Sequence, residues 1–125
     1  RMQAEKQTRK VNGHCPRSHC ALSGYEIHVG TSSGPDTQSP MTVLAGHADG
    51  AVSSNGQVEG TYLHGLFGND DYRAWWLNGL KSGSAGKLDY DATVERELDR
   101  LADGLEVALD VDALLSDARS TRLAC

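Results

Sequence analysis

The chain has 125 residues, room for one domain, and a formal net charge of -5 with 23% charged residues. That mildly acidic balance, without any basic cluster or aromatic–basic interleaving, argues against nucleic-acid binding. No apolar run approaches the ~18 residues that span a bilayer, and no basic start followed by an apolar centre marks a signal peptide.

Large apolar side chains are few, with one Phe and one Ile in the whole chain. Leu, Ile, Val and Phe together make up about a fifth of the residues, near the level where a packed core becomes hard to build. The expected core is therefore thin, which suggests a domain leaning on further chain or on a partner. Three cysteines, an odd number, do not close a disulfide framework and fit a reducing cytoplasm, although a single Cys15–Cys20 bridge stays open. The first residue is Arg1, which points to a chain trimmed at its start.

In chain order, residues 8–13 read as a short strand and residues 14–23 as irregular, with Pro16 among them. Tyr25, Ile27 and Val29 then alternate with Glu26 and His28 between Gly24 and Gly30, the pattern of a strand. Residues 31–40 form a polar loop rich in Ser, Thr, Gly and Pro. Residues 41–45 are a short apolar strand. Residues 51–53 and 57–63 flank Ser54-Asn55-Gly56, and Asn-Gly between two extended runs predicts a hairpin because both residues tolerate positive φ. Val58, Gly60, Tyr62 and His64 would share one face of its second arm.

Asn69, Asp70 and Asp71 offer a helix start, where short acceptors cap free N–H groups and negative charge suits the dipole. Tyr72, Trp75, Trp76 and Leu80 give that helix its apolar face. Residues 82–87 are a glycine-containing connector. A second helix begins near Asp91, with Val94, Leu98, Leu101, Leu105, Ala108 and Leu109 at three- and four-residue spacing. Asp110 caps a last short helix carrying Val111, Leu114 and Leu115, and residues 119–125 form a loosely held tail. Strands first and helices last give α+β if the chain is taken alone.

Three groups of residues could carry chemistry. His64 ends a strand and is followed by Gly65, so a rigid element holds the ring and the adjacent backbone can be approached closely. That suits a catalytic base, yet no convincing nucleophile accompanies it, and a structural, hydrogen-bonded histidine is the bland alternative. Glu26 and His28 share a strand face, either as solvated edge-strand charges or as cleft residues in which a carboxylate orients an imidazole. His14, Cys15, His19 and Cys20 place four potential zinc ligands within seven residues. Structural zinc sites usually draw two ligands from each of two separated knuckles. No second Cys pair exists and Cys125 stands apart, so a loop that happens to hold thiols is the preferred reading. Neither a Gly-x-Gly-x-x-Gly run nor a Walker pattern occurs, so ATP binding within this chain is not expected.

These residues also carry a resemblance. Gly24-Tyr25-Glu26-Ile27-His28-Val29-Gly30 with Thr31, then Asp49-Gly50-Ala51, then Gly60-Thr61-Tyr62-Leu63-His64-Gly65-Leu66-Phe67 are similar to successive motifs of the cobyric acid synthase family. Asn69, Asp70, Tyr72, Arg73 and Trp76-Leu77 resemble its next helix. Glu5 to Val11 resemble its upstream segment, and Leu98 to Asp103 its closing helix. The resemblance spans most of residues 5–115. The related cobyrinic acid a,c-diamide synthases have a different block around the histidine.

The resemblance implies an α/β fold: the C-terminal portion of a flavodoxin-like class I glutamine amidotransferase domain. Its strands and histidine block would occupy residues 5–67, its helices 69–117 and a tail 118–125. It implies a cysteine that attacks the glutamine side-chain amide and releases ammonia, with His64 as the catalytic histidine. It also implies a separate synthetase domain that uses ATP and Mg²⁺ to amidate corrinoid carboxylates in cobalamin biosynthesis. The cysteine elbow and the synthetase domain are not in this sequence, and Cys15 and Cys20 do not match the elbow. The expected partners are therefore glutamine, a corrinoid and the N-terminal part of the same protein. Many class I amidotransferases carry a glutamate two residues after the histidine; that position is Leu66, which leaves Glu26 as the candidate orienting group. The rival readings are a non-catalytic docking module with this fold and a small zinc protein.

Overall fold

The computed structural model describes residues 2–86 and 88–122, with side chains for residues 8–86 and 88–120. The chain divides into two compact units after Leu88. Lys87 of the predicted connector and Cys125 lie outside the described residues.

In the first unit, strands β1 (Met2–His14) and β2 (Ala21–Gly30) make a long antiparallel hairpin. Strand β3 (Thr42–Leu44) pairs with β1, strand β4 (His47–Asp49) pairs with β3, and strand β7 (Leu63–His64) adds to β2, giving the order β4-β3-β1-β2-β7. Strands β5 (Ala51–Val52) and β6 (Glu59–Gly60) form a separate small hairpin. Pairing is antiparallel throughout the described residues.

The irregular stretch expected over 14–23 is instead a tight connection between two paired strands. The Cys15 N–H donates to the Cys20 carbonyl at 3.1 Å and the His19 N–H to the Cys15 carbonyl at 2.8 Å, with His19 at φ 59°. Strand β4 escaped the sequence reading because its turn, Ala45-Gly46, does not have the usual Asn-Gly or Asp-Gly composition. Both residues nonetheless have positive φ, 47° and 85°, as a two-residue hairpin loop demands. The Asn-Gly hairpin forms as expected, with Gly56 at φ 68° and the Ser53 N–H donating to the Val58 carbonyl at 2.8 Å. Its second arm is shorter than predicted, because the chain leaves β6 after Gly60 and joins β2 at Leu63.

Cross-strand partners share a face of the sheet. One face carries Val11, Leu22, Gly24, Glu26 and Leu63; the other carries Lys10, Tyr25, Ile27 and His64. The first face builds the core with Cys15, Met41, Leu44, Leu66 and Tyr72. Leu22 of β2 enters the core, but Tyr25, Ile27 and Val29 lie on the opposite face: Tyr25 is 51% exposed, whereas Glu26 is 4% exposed.

Helix α1 (Asp70–Leu80) follows a 3-10 turn over Leu66–Gly68 and is anchored by Tyr72, which is fully buried. Phe67 packs edge-on to Trp76 at 5.2 Å between centroids. Trp76 Nε1–H donates to Glu59 at 3.0 Å, and the Arg17 guanidinium lies over Trp75. Of the expected apolar face, Trp75 and Leu80 are exposed. Asn69 stands at the helix start, but its side chain does not cap α1. It binds Ser23 instead, accepting from the Ser23 N–H at 2.8 Å and donating to the Ser23 carbonyl at 3.0 Å.

The second unit holds helix α2 (Tyr90–Ala108) and helix α3 (Val111–Arg122). The Asp89 side chain accepts from the Ala92 N–H at 2.9 Å, and Asp110 accepts from the Ala113 N–H at 2.9 Å, as an Asp at the N-cap should. The segment expected to be a tail from 118 onward is helical as far as Arg122. No described helix is long and apolar enough to cross a membrane.

Candidate active site

His64 sits in β7 directly opposite Tyr25 of β2. Gly24 makes this pairing possible, since a Cβ there would overlap the His64 carbonyl oxygen. Gly65 follows at φ 86°, a left-handed conformation that glycine adopts without strain. The Asn69 side-chain amide clamps the turn, donating to the carbonyls of Gly65 at 3.2 Å and Leu66 at 3.0 Å. The ring is exposed, and its Nδ1 lies 3.1 Å from the Tyr62 carbonyl oxygen. A carbonyl can only accept, so Nδ1 carries the proton of the neutral ring, and the Nε2 lone pair has no partner among the described residues. That is the tautomer of a general base working through Nε2.

Glu26 and His28 lie on the other sheet face and do not reach His64. The idea that Glu26 orients His64 is therefore corrected by the register: Leu63, not His64, is opposite Glu26, and the Tyr62 carbonyl holds the ring. Nor is Glu26 a solvated edge charge. It is buried, with Arg9 Nε donating to Oε2 at 2.7 Å and the Nε2 atoms of His28 and His47 each 3.3 Å from Oε1. Burial by itself would push the Glu26 carboxyl up; the Arg9 and His47 hydrogen bonds outweigh it and hold the group below its ordinary value. His28 Nδ1–H donates to the Gly30 carbonyl at 2.8 Å, and its ring lies against Tyr62 at 4.9 Å. Glu26, His28, His47 and Tyr62 line a cleft of about 170 Å³.

The four potential zinc ligands do not converge. Cys15 is fully buried in the core and Cys20 packs against that core, both as free thiols, while His14 and His19 are exposed. Among the described residues, no group of three or more His, Cys, Asp or Glu side chains is placed to hold a metal ion. Neither described thiol shares the exposed face of His64.

Several residues of the site were not singled out by their side chains. Asp49 is buried, accepting from the Thr42 hydroxyl at 2.8 Å, from the Thr61 hydroxyl, and from the Tyr62 N–H at 3.2 Å. Arg9 and His47 join Glu26 from β1 and from just past the Ala45-Gly46 turn. The available signal was Asp49-Gly50 itself: Gly50 has φ 72°, and a Cβ there would overlap the Gly60 carbonyl oxygen.

Residues 1–72 match the CobB/CobQ-like glutamine amidotransferase domain family. The chain belongs to that family. Along 111 residues it is 51% identical to a cobyric acid synthase of Hyphomonas neptunium, and 48% identical to one of Jannaschia sp., in each case covering 89% of this chain and 22% of the relative. A cobyric acid synthase of Mesorhizobium japonicum is 47% identical over 118 residues, 94% of this chain and 24% of the relative. The chain thus spans between a fifth and a quarter of the length of these curated relatives. No solved structure matches it. The stretch around His64 lies on β6 and β7, and Gly24 to Gly30 lie on β2, which pairs with β7.

Proposed function

We propose that this chain is the histidine-bearing part of a glutamine amidotransferase site that supplies ammonia for amidation of corrinoid carboxylates in cobalamin biosynthesis. The observation that carries the proposal is the His64 ring, fixed through Nδ1–H on a rigid strand with Nε2 open on the exposed sheet face. In this reading the nucleophilic cysteine belongs to polypeptide upstream of this chain, in the parallel portion of a flavodoxin-like cytoplasmic domain. His64 Nε2 takes the thiol proton, and the thiolate attacks the glutamine amide carbon. The His64 imidazolium then returns the proton to the leaving ammonia, giving a thioester. Water, deprotonated by the same nitrogen, releases glutamate and restores the thiol.

ATP with Mg²⁺ belongs, in this reading, to a synthetase domain elsewhere in the protein. Among the described residues, Arg9, Arg17 and Arg73 are engaged by Glu26, Glu59 and Asp70. No nucleotide step is assigned to them.

A glutaminase assay on this chain, alone and with the upstream polypeptide supplied, tests the proposal. The expected result is an inert chain alone and His64-dependent activity in the supplemented protein. Activity of the chain alone that survives Cys15→Ser with Cys20→Ser would overturn the split Cys–His arrangement, as would a supplemented protein indifferent to His64→Ala. A docking module is favoured by one observation, the exposed Tyr25 and Val29 on β2. Size-exclusion chromatography across concentrations separates the readings, because a strictly monomeric, folded chain counts against docking.

A further inference from the structure

We propose that Asp49 is a positioning residue for His64, acting through the Thr61 hydroxyl and the Tyr62–Leu63 peptide. The inference rests on the base role of His64 argued above for its effect on turnover, but not for its geometry.

A buried carboxylate is costly unless its oxygens are satisfied. Asp49 is 5% exposed, and its described hydrogen-bond donors are two hydroxyls and one backbone N–H. Two of these three come from Thr61 and Tyr62, three and two residues before His64. The Thr61 hydroxyl, having donated to Asp49, accepts from the Leu63 N–H at 3.0 Å. That N–H belongs to the same peptide plane as the Tyr62 carbonyl. The carbonyl in turn accepts from the Ile27 N–H at 3.2 Å and from His64 Nδ1–H at 3.1 Å. One line of hydrogen bonds therefore runs from Asp49 through Thr61 and one peptide unit to the imidazole.

This arrangement also explains the local break in the strand. Regular alternation from β6 into β7 would give Thr61 and Tyr62 ladder partners of their own. Asp49 takes the Tyr62 N–H instead, and the chain bends there before pairing with β2. Thr42, which faces Asp49 across the β3–β4 pair, donates to the same carboxylate oxygen as Thr61, and the two hydroxyl oxygens lie 3.2 Å apart. Gly50 lets the backbone pass Gly60. A carboxylate acceptor strengthens the Thr61 hydrogen bond, and chained hydrogen bonds polarise one another. The Nδ1–H tautomer of His64 is the form that fits this chain.

The test uses the full-length protein, with selective ¹⁵N-histidine labelling and His64→Ala to assign the His64 ring. Wild-type neutral His64 should be mostly Nδ1–H. In Asp49→Asn and Thr61→Val the Nε2–H form should rise, and glutamine turnover should fall about 10- to 100-fold in kcat with KM nearly unchanged, as misorientation of a reacting group predicts. Thr61→Ser, which keeps the hydroxyl, should restore both tautomer and kcat. Should Asp49→Asn fail to fold, the Thr61→Val and Thr61→Ser pair decides alone. Folded variants with an unchanged tautomer overturn the proposal, whether or not kcat falls. A shifted tautomer with unchanged glutamine turnover leaves the positioning intact and removes the base role of His64 instead.

Discussion

Replacing Gly24 with alanine would place a Cβ over the His64 carbonyl oxygen and 2.9 Å from Leu63 Cδ1. Strand β7 is held to β2 by only two residue pairs, Tyr25 with His64 and Glu26 with Leu63, so β7 is the element that must yield. Restoring ordinary contact requires a shift of about 1 Å, and overpacking of this kind costs about 1–3 kcal/mol. Against a total stability of about 5–15 kcal/mol for a domain, the variant still folds. The larger effect falls on chemistry, because moving a reacting group by about 1 Å costs about 100-fold in rate. In the full-length protein, glutamine-driven amidation should drop by about that factor while amidation driven by added ammonia stays at the wild-type rate. Urea melts provide the stability measurement. Gly60→Ala is the control, since a Cβ there meets nothing within 4 Å. If Gly24→Ala leaves both stability and glutamine-driven turnover unchanged, the close approach of β2 and β7 does not position His64.

Arg9→Met leaves Glu26 buried without its 2.7 Å donor and should destabilise the fold by about 1–3 kcal/mol at neutral pH. The native Glu26 pKa is lowered, so wild type keeps this contribution above 4.5 and loses it as pH falls through the native value. The gap between variant and wild type should therefore close in acid, and urea melts at a series of pH values read it. The Tyr72 hydroxyl is buried without a hydrogen-bond partner among the described residues, and burial, with Glu59 and Cys15 adding to it, pushes its pKa up to about 12. Tyr72→Phe should be neutral or stabilising by up to about 1 kcal/mol in thermal melts, and a loss larger than that would reveal a partner for the hydroxyl. Gly104→Ala, inside α2 and with nothing near its Cβ, should stabilise the helix by about 0.5–1 kcal/mol, seen as a higher midpoint by circular dichroism.

The parts legible in the sequence were those set by local pattern. Asn55-Gly56 marked its hairpin because positive φ is a local demand, and Val94 to Leu109 marked α2 because their period of three and four is local too. His64 stood out for a similar reason, a histidine between strand and glycine. Burial of Glu26 was not legible. The alternation of β2 shows which residues share a face, but not which face meets the core, and the rest of the sheet reversed the hydrophobic expectation. Asp49 was opaque for a related reason. Its partners come from β3 and from the bend before β7, so only the tertiary arrangement converts an acidic residue before glycine into the anchor of the histidine strand. Strand β4, and with it the approach of His47 to Glu26, depended on Ala45 adopting a left-handed conformation that its side chain does not advertise.

The most direct measurement compares the two nitrogen sources in the full-length protein carrying His64→Ala. The predicted result is loss of glutamine-driven amidation, by about 100-fold or more for removal of a general base, with ammonia-driven amidation at the wild-type rate. Equal glutamine-driven rates in wild type and variant would contradict the assignment of His64 as the proton carrier of the site.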